Sequence, residues 1–193
     1  MRSTVYKPAE DSYLLQRHVE REVRGVVLDM GTGSGIQAIT AARRPEVTHV
    51  VAVDVNPRAL EEARKNAALA GVSGKIEFRL SNLFQAVGDE QFDYILFNPP
   101  YLPTHPEESR DEASRAWDGG PTGGEAIRRF LREAKHHLKD RGRILLILST
   151  LTGITLEEIA GNYEVKILEE KPLFFEKLLC VSLRAPMHGK KAT

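Results

Sequence analysis

Val26-Val27-Leu28-Asp29-Met30-Gly31-Thr32-Gly33-Ser34-Gly35 is the stretch that decides the fold. A short, β-rich apolar run enters a Gly-x-Gly-x-Gly turn, and a helix is expected to begin near Ser34. Glycines tolerate positive φ and let a ligand approach the backbone closely. Position 36 is Ile, so the full G-x-G-x-x-G dinucleotide fingerprint is absent. Asp54 closes the next apolar run, Val50-Val51-Ala52-Val53. It lies about 20 residues beyond the loop, where folds of this kind place a carboxylate that accepts hydrogen bonds from a ribose. The combination points to a ligand that carries a nucleoside.

Working outward, Lys75–Leu80, Tyr94–Phe97 and Arg143–Leu148 read as further strands. Near-continuous apolar runs are what a parallel sheet covered on both faces requires. Helical patterns separate them. Asn56 suits an N-cap and Pro57 a first helical position, with the helix running to about Leu69 and Gly71 as its stop. Another helix is expected over about Glu125–Leu138. Leu14, Leu15, His18, Val19 and Val23 recur at helical spacing, which predicts an amphipathic helix over about Glu10–Val23. Tyr163–Leu168 and Lys177–Leu183 read as two last strands. Glu169–Glu176 is too short for a helical crossover of about ten residues, so this pair is expected to be antiparallel. The whole predicts an α/β fold with a doubly wound, mostly parallel sheet and an antiparallel C-terminal hairpin. A single domain over 1–185 is expected, with an N-terminal helical cap at about 8–24 and a mobile tail at 186–193.

Composition narrows the classes. Lys plus Arg total 27 and Asp plus Glu total 27, a balance that argues against a general nucleic-acid coater. Cys180 is the one cysteine, so no internal disulfide and no cysteine-rich metal site is available, and it is expected in the core. The histidines show no metal spacing, and His136-His137 are expected to serve the helix dipole. No run approaches the roughly 18 apolar residues of a membrane span. A cytoplasmic protein is expected.

The fourth strand ends in Asn98-Pro99-Pro100-Tyr101. In an open α/β sheet ligands bind beyond the carboxyl ends of the strands, so this element shares a rim with the glycine loop. Pro100 forces Pro99 into an extended conformation, and neither proline has an N–H. The Pro99 carbonyl and the Asn98 side-chain carbonyl are then two convergent acceptors, suited to the two donors of an NH₂ group. Tyr101 suits the flat face of the group that carries it. An amide or aromatic amine is a weak nucleophile because its lone pair is delocalised. Gripping both N–H bonds orients that nitrogen toward an electrophile.

The glycine loop, the Asn-Pro-Pro-Tyr element and the terminal hairpin together resemble the class I S-adenosylmethionine-dependent methyltransferases of the Asn-Pro-Pro-Tyr group, with their Rossmann-like sheet. Val5-Tyr6-Lys7-Pro8-Ala9-Glu10-Asp11-Ser12-Tyr13-Leu14-Leu15 and Ala116-Trp117-Asp118-Gly119-Gly120 resemble the archaeal and eukaryotic HemK-type branch. That branch consists of protein-glutamine N5-methyltransferases. The resemblance spans about residues 5–184. It implies S-adenosyl-L-methionine as cofactor and, as substrate, the glutamine of a Gly-Gly-Gln motif in a class 1 translation release factor. It also implies a companion, a small zinc-binding activator subunit, with no metal held by this chain. For the reaction it implies Asn98, Pro99 and Tyr101. For the cofactor it implies Gly31 and Gly33 beside the methionine portion, Asp29 toward its ammonium and Ser12 toward its carboxylate. Asp54 would take the ribose, and Asn82 and Leu83 would flank the adenine, with Asn98 closing the site.

Residues 101–121 form a long connection. Between Tyr101 and Asp118 it carries Glu107, Glu108, Asp111, Glu112 and Asp118 against Arg110 and Arg115. That acidity favours a basic protein substrate over a phosphate backbone. Trp117 is expected to be a core residue. An adenine or guanine amino group in RNA or DNA remains the alternative substrate, because it too is a planar NH₂. Lysine methylation, a nicotinamide dehydrogenase and a non-catalytic scaffold are the remaining readings.

Overall fold

The computed structural model describes residues 5–100 and 124–186. Tyr101, Trp117 and the acidic connection lie outside the described residues, as does 187–193. The elements follow in the order α1 (Glu10–Glu22), β1 (Gly25–Met30), α2 (Ile36–Ala42), β2 (Val47–Asp54), α3 (Pro57–Leu69), β3 (Ile76–Leu80), β4 (Phe92–Phe97), α4 (Glu125–Ala134), β5 (Leu138–Ser149), α5 (Leu156–Ala160), β6 (Glu164–Pro172) and β7 (Lys177–Arg184).

The strands form one seven-stranded sheet in the order β3-β2-β1-β4-β5-β7-β6. Strands β1 to β5 pair in parallel, and β7 runs antiparallel to both β5 and β6. The fold is therefore the α/β doubly wound sheet with an antiparallel C-terminal hairpin. From β1 the chain winds outward to β2 and β3, then returns to place β4 on the other side of β1. That reversal opens a crevice above the carboxyl ends of β1 and β4.

Successive residues of each central strand enter opposite layers, as the period of two requires. Leu28, Met30, Val51, Val53, Ile95, Phe97, Ile144 and Leu146 join the layer under α4 and α5, with Phe130 and Ile127. Val27, Val50, Ala52, Leu96, Leu145 and Ile147 join the layer under α1 and α2, with Leu14, Leu15, Val19 and Ala38. Both faces are dry, which explains the unbroken apolar runs. Cys180 lies fully buried in the second layer, where burial pushes its thiol up to about 12.

Four local expectations are corrected. The helix after the glycine loop starts at Ile36 and not near Ser34, because Gly35 has φ +86° and cannot be helical. The helix from Glu125 ends at Ala134. A 3-10 turn, Lys135–His137, follows it, and Leu138 already pairs with Phe92 as the first residue of β5. His136-His137 therefore do not serve the end of an α-helix. His137 stacks on the Phe84 ring, with centroids 4.4 Å apart, and its Nδ1 donates to the Glu90 carbonyl at 3.0 Å. Lys139, expected beside that helix end, lies in β5 and pairs with Asp93 at 2.8 Å. Finally, β6 continues through Glu169 to Pro172, so the turn before β7 is only Leu173–Glu176. The polar composition of Glu169–Lys171 reads as loop, yet β6 is an edge strand, and edge strands carry charges. The short α5 was not expected at all. Its Thr155 side chain caps it by accepting from the Glu158 N–H at 3.1 Å.

Gly35 shows how tightly the loop is built in. A Cβ there would lie 3.0 Å from the Ala63 Cβ and 3.2 Å from its Cα, on top of a left-handed φ. Gly88 has a similar φ of +62° but nothing within 4 Å of the position. Chemical denaturation will show Gly35→Ala losing about 2–3 kcal/mol, from strain plus overpacking. Gly88→Ala will lose only about 1 kcal/mol, from strain alone.

Candidate active site

Three segments meet at the crevice. The glycine loop supplies Gly31–Ser34, the start of α1 supplies Tyr6, Asp11 and Ser12, and the end of β4 supplies Asn98-Pro99-Pro100. Together with Asp29 and Gln37 they enclose a cleft of about 250 Å³. Ser12, Asp29, Gly31, Gly33, Asn98 and Pro99, all singled out from the sequence, thus share one wall-to-wall space. Asn82 and Leu83 line a neighbouring hollow with Val55, Phe97 and Ala126, and Gly31 and Pro100 border both spaces. Asp54 lines neither. It is buried beside the glycine loop, one residue before Val55.

Asn98 holds the most informative contacts. Its Nδ2 donates to Asp11 Oδ2 at 3.1 Å and sits 3.4 Å from Ser12 Oγ. Its Oδ1 is buried and has no hydrogen-bond partner among the described residues. The neighbour decides the orientation. An ionised carboxylate only accepts, so the amide must turn its NH₂ toward Asp11 and its carbonyl away. A buried acceptor left without a donor costs about 1–3 kcal/mol, which a donor arriving from a ligand returns.

Asp11 was not assigned a role from the sequence. It is buried and gathers the Tyr6 hydroxyl, at 3.0 and 3.1 Å to its two oxygens, and the Ser12 N–H at 2.6 Å. A signal was present. Asp11 stands three, four and seven residues before Leu14, Leu15 and His18, on the inward stripe of α1, where an acid is out of place unless it is partnered. Gln37 was also missed. Its Nε2 donates to the Ser12 carbonyl at 2.8 Å, while its Oε1 is buried without a partner among the described residues. A polar residue in the first turn of a helix carries no sequence signal for such a place.

The two buried carboxylates brace the loop. Asp29 Oδ2 accepts from the Thr32 hydroxyl at 2.6 Å and the Ala38 N–H at 3.0 Å. Burial pushes its carboxyl up from 3.8 to about 7; those two bonds oppose the rise, and the nearby Asp54 adds to it. Asp54 accepts from the Gly33 N–H at 2.9 Å and the Asn56 N–H at 2.8 Å. Burial pushes it up to about 6, against its backbone hydrogen bonds to Asn56, Gly33 and Val55. In the adjoining hollow, Leu83 adopts φ +51°. Ser81 fixes that turn by donating to the Leu83 carbonyl at 2.7 Å and accepting from the Ala86 N–H at 2.9 Å. The Asn82 carbonyl lies 3.5 Å from an Arg129 nitrogen. Among the described residues no group of His, Cys, Asp and Glu is arranged to hold a metal ion, and no helix is long and apolar enough to cross a membrane.

The sign of the Asp29 effect follows from its raised pKa. Between about pH 4 and pH 7 the native state holds a proton that the unfolded chain has lost, so this group's contribution to stability falls as pH rises through that window. Asp29→Asn keeps an acceptor oxygen for Thr32 and Ala38 but never ionises. Urea unfolding will show the variant gaining on the wild type from pH 4.5 to about pH 7.5. Parallel curves across that range would mean that the folded-state pKa of Asp29 is not raised and that the group is already ionised in its buried place.

Comparison with known proteins gives the family. The family model described as Methyltransferase small domain matches residues 7–171. A relative from Methanocaldococcus jannaschii named as a putative protein N5-glutamine methyltransferase is 38% identical over 182 residues, covering 92% of this chain and 90% of its own length. A release factor glutamine methyltransferase from Cereibacter sphaeroides is 37% identical over 153 residues, and there the chain spans only 55% of the relative's length. Among solved structures, one from the E. cuniculi Mtq2-Trm112 complex, described as responsible for methylation of the eRF1 translation termination factor, superposes with a TM-score of 0.69. It is 27% identical and covers 94% of this chain and 98% of that one. The chain belongs to the Methyltransferase small domain family, among the protein N5-glutamine methyltransferases.

Proposed function

We propose that the chain methylates the side-chain amide of the glutamine in a Gly-Gly-Gln motif of a class 1 translation release factor, with S-adenosyl-L-methionine as methyl donor. The observation that carries this reading is Asn98 in the wall of the cleft, its Nδ2 held by Asp11 and its buried Oδ1 without a hydrogen-bond partner among the described residues. The names of the relatives support it. With release factors as its substrates, the enzyme acts in the cytoplasm.

The cleft suits the cofactor. Gln37 Oε1 is a buried acceptor without a donor, and a Cβ at Gly33 would meet only the Gly31 carbonyl, at 4.0 Å. Ser12, Asp29, Gly31, Gly33 and Gln37 would hold the methionine portion, Asp54 the ribose, and Asn82 and Leu83 the adenine. When bound, the cofactor supplies an electrophilic methyl on a sulfonium.

The remaining work belongs to the chain. Asn98 Oδ1 accepts one N–H of the glutamine amide, and the Pro99 carbonyl accepts the other. Held this way, the nitrogen presents its lone-pair density out of the amide plane. Asp11 keeps Asn98 from flipping and presenting a donor where an acceptor is needed. Tyr101, two residues beyond Pro99, is of a type suited to the flat face of that amide. The nitrogen sheds a proton to solvent as its bond to carbon forms, so no dedicated base is required.

A companion subunit is the second part of the proposal. The two sheet edges differ. Edge strand β6 carries Glu164, Lys166, Glu170, Lys171 and Pro172 and a bulge at Ile167/Glu169, all features that block strand pairing. Edge strand β3 also carries charges, Glu77 and Arg79, but it has neither bulge nor proline and ends in the exposed Leu80. A small zinc-binding subunit that adds a strand at β3 fits this asymmetry. The E. cuniculi complex supports a two-chain assembly.

Methyl transfer from labelled cofactor to a release factor, to its Gln-substituted variant and to RNA tests the substrate. Label is expected only on the factor with its glutamine intact. Asn98→Ala will lower kcat by about 10²–10³-fold, as loss of one preorganised polar contact does. Its cofactor affinity, read by calorimetry, will stay near that of the wild type. Asp11→Ala will lower kcat by about 10-fold through amide misorientation, and Asp11→Asn, which retains an acceptor for Nδ2, will recover part of it. Equal kcat for Asp11→Ala and wild type would remove Asp11 from the mechanism.

A further inference from the structure

The turn between β6 and β7 places Phe174 and Phe175 almost wholly in solvent, 91% and 84% exposed. Their rings meet edge to face with centroids 4.6 Å apart. Two adjacent exposed phenylalanines are costly to maintain unless something covers them. The fold does not hide them, and it does not leave them loose. The Leu173 N–H donates to the Glu176 carbonyl at 2.8 Å and closes the turn. The Glu176 carboxylate accepts from the Ser149 hydroxyl, and the Lys177 N–H donates to Thr150 Oγ1 at 3.0 Å. The tip is thus pinned to the end of β5, and its rings are pre-positioned for a partner at little further cost in ordering.

The sheet register says where the tip stands. Phe97 of β4 pairs with Leu146 of β5, and Ser149 of β5 pairs with Leu178 of β7. The tip therefore rises from the same carboxyl rim as Asn98, two strands across and a few residues higher. Strand spacing and rise place it roughly 15–20 Å from the Asn98 side chain. It is also tied to the wall of the cleft. Lys171 at the end of β6 pairs with Glu10, the residue before Asp11, and Leu173 packs into the layer that contains Leu14. Tyr6 at the cleft mouth and Leu151 just after β5 are exposed on this rim as well.

We propose that the Phe174–Phe175 tip is a docking point for the protein substrate, seating an apolar patch of the release factor away from its glutamine. This inference rests on the release-factor reading above. A polypeptide suits the surface better than a nucleic acid. The lysines flanking the tip are already paired, Lys171 with Glu10 and Lys177 with Glu170 at 2.9 Å, and Glu176 adds negative charge, so the turn itself offers phosphates no unpaired lysine among the described residues. Two phenylalanines bury about 300–500 Å² at most. That suits one anchor of a transient enzyme–substrate complex better than a permanent interface.

The distance supplies the test. A seven-residue peptide centred on the glutamine reaches only about 10 Å to either side, short of the tip, whereas the folded factor spans it. The double variant Phe174→Ser plus Phe175→Ser is compared with the wild type on both substrates, with cofactor affinity and melting temperature as controls. KM for the full-length factor is expected to rise about 10-fold or more with kcat unchanged, and the peptide kinetics are expected not to move. An active wild type whose KM for the factor is unaltered by the double substitution overturns the docking point alone. Equal losses on peptide and factor also overturn it, because the tip would then act through the cleft. Loss of RNA binding without loss of factor binding assigns the tip to a nucleic acid and overturns it too. A wild type that is inert toward the factor even when purified together with its companion subunit overturns the release-factor reading, and the docking point with it.

Discussion

The hydrogen bond from Asn98 Nδ2 to Asp11 Oδ2 is the constraint on which the site depends. A primary amide is nearly symmetric in shape and antisymmetric in hydrogen-bonding sense, so its orientation must be imposed from outside. A buried carboxylate imposes it, because it accepts and cannot donate. Asp11 is itself held by Tyr6 and Ser12, which places the control of a β4 residue in the first turn of α1. The N-terminal helix therefore orients a side chain of the cleft as well as covering one face of the sheet.

The glycine loop is maintained by a related economy. Asp29 and Asp54 end neighbouring strands and are both buried, and each is satisfied by groups of the loop or of the helix that follows it. Burial raises the pKa of both carboxylates against those hydrogen bonds. Gly35 seals the arrangement from behind by letting α3 approach at Ala63.

The same rim joins chemistry to recognition. Salt bridges from Arg17 to Glu169 and from Lys171 to Glu10, with a hydrogen bond from His18 to Glu169, bind the β6–β7 hairpin to α1. One end of α1 thus orients the reacting amide, and the hairpin packed along it carries the exposed aromatic tip. A substrate that pressed on the tip would press on a body continuous with Asp11.

The sequence by itself determined the class of fold and most of the cleft. Apolar runs of the right length, the three glycines, the capping Asn56-Pro57 and the short link before Lys177 each have a local physical cause, and each lies where those causes put it. Tertiary structure decided what local signals cannot carry. Glu169–Lys171 is strand because α1 supplies its counter-charges across some 150 positions of chain. Leu138 is strand because Phe92 pairs with it, whatever its helical surroundings suggest. Asp11 and Gln37 are site residues only because α1 and α2 meet above β4. Which end of the Asn98 amide turns toward α1 is set by a partner 87 residues away in the chain, and no pattern in either segment records that meeting.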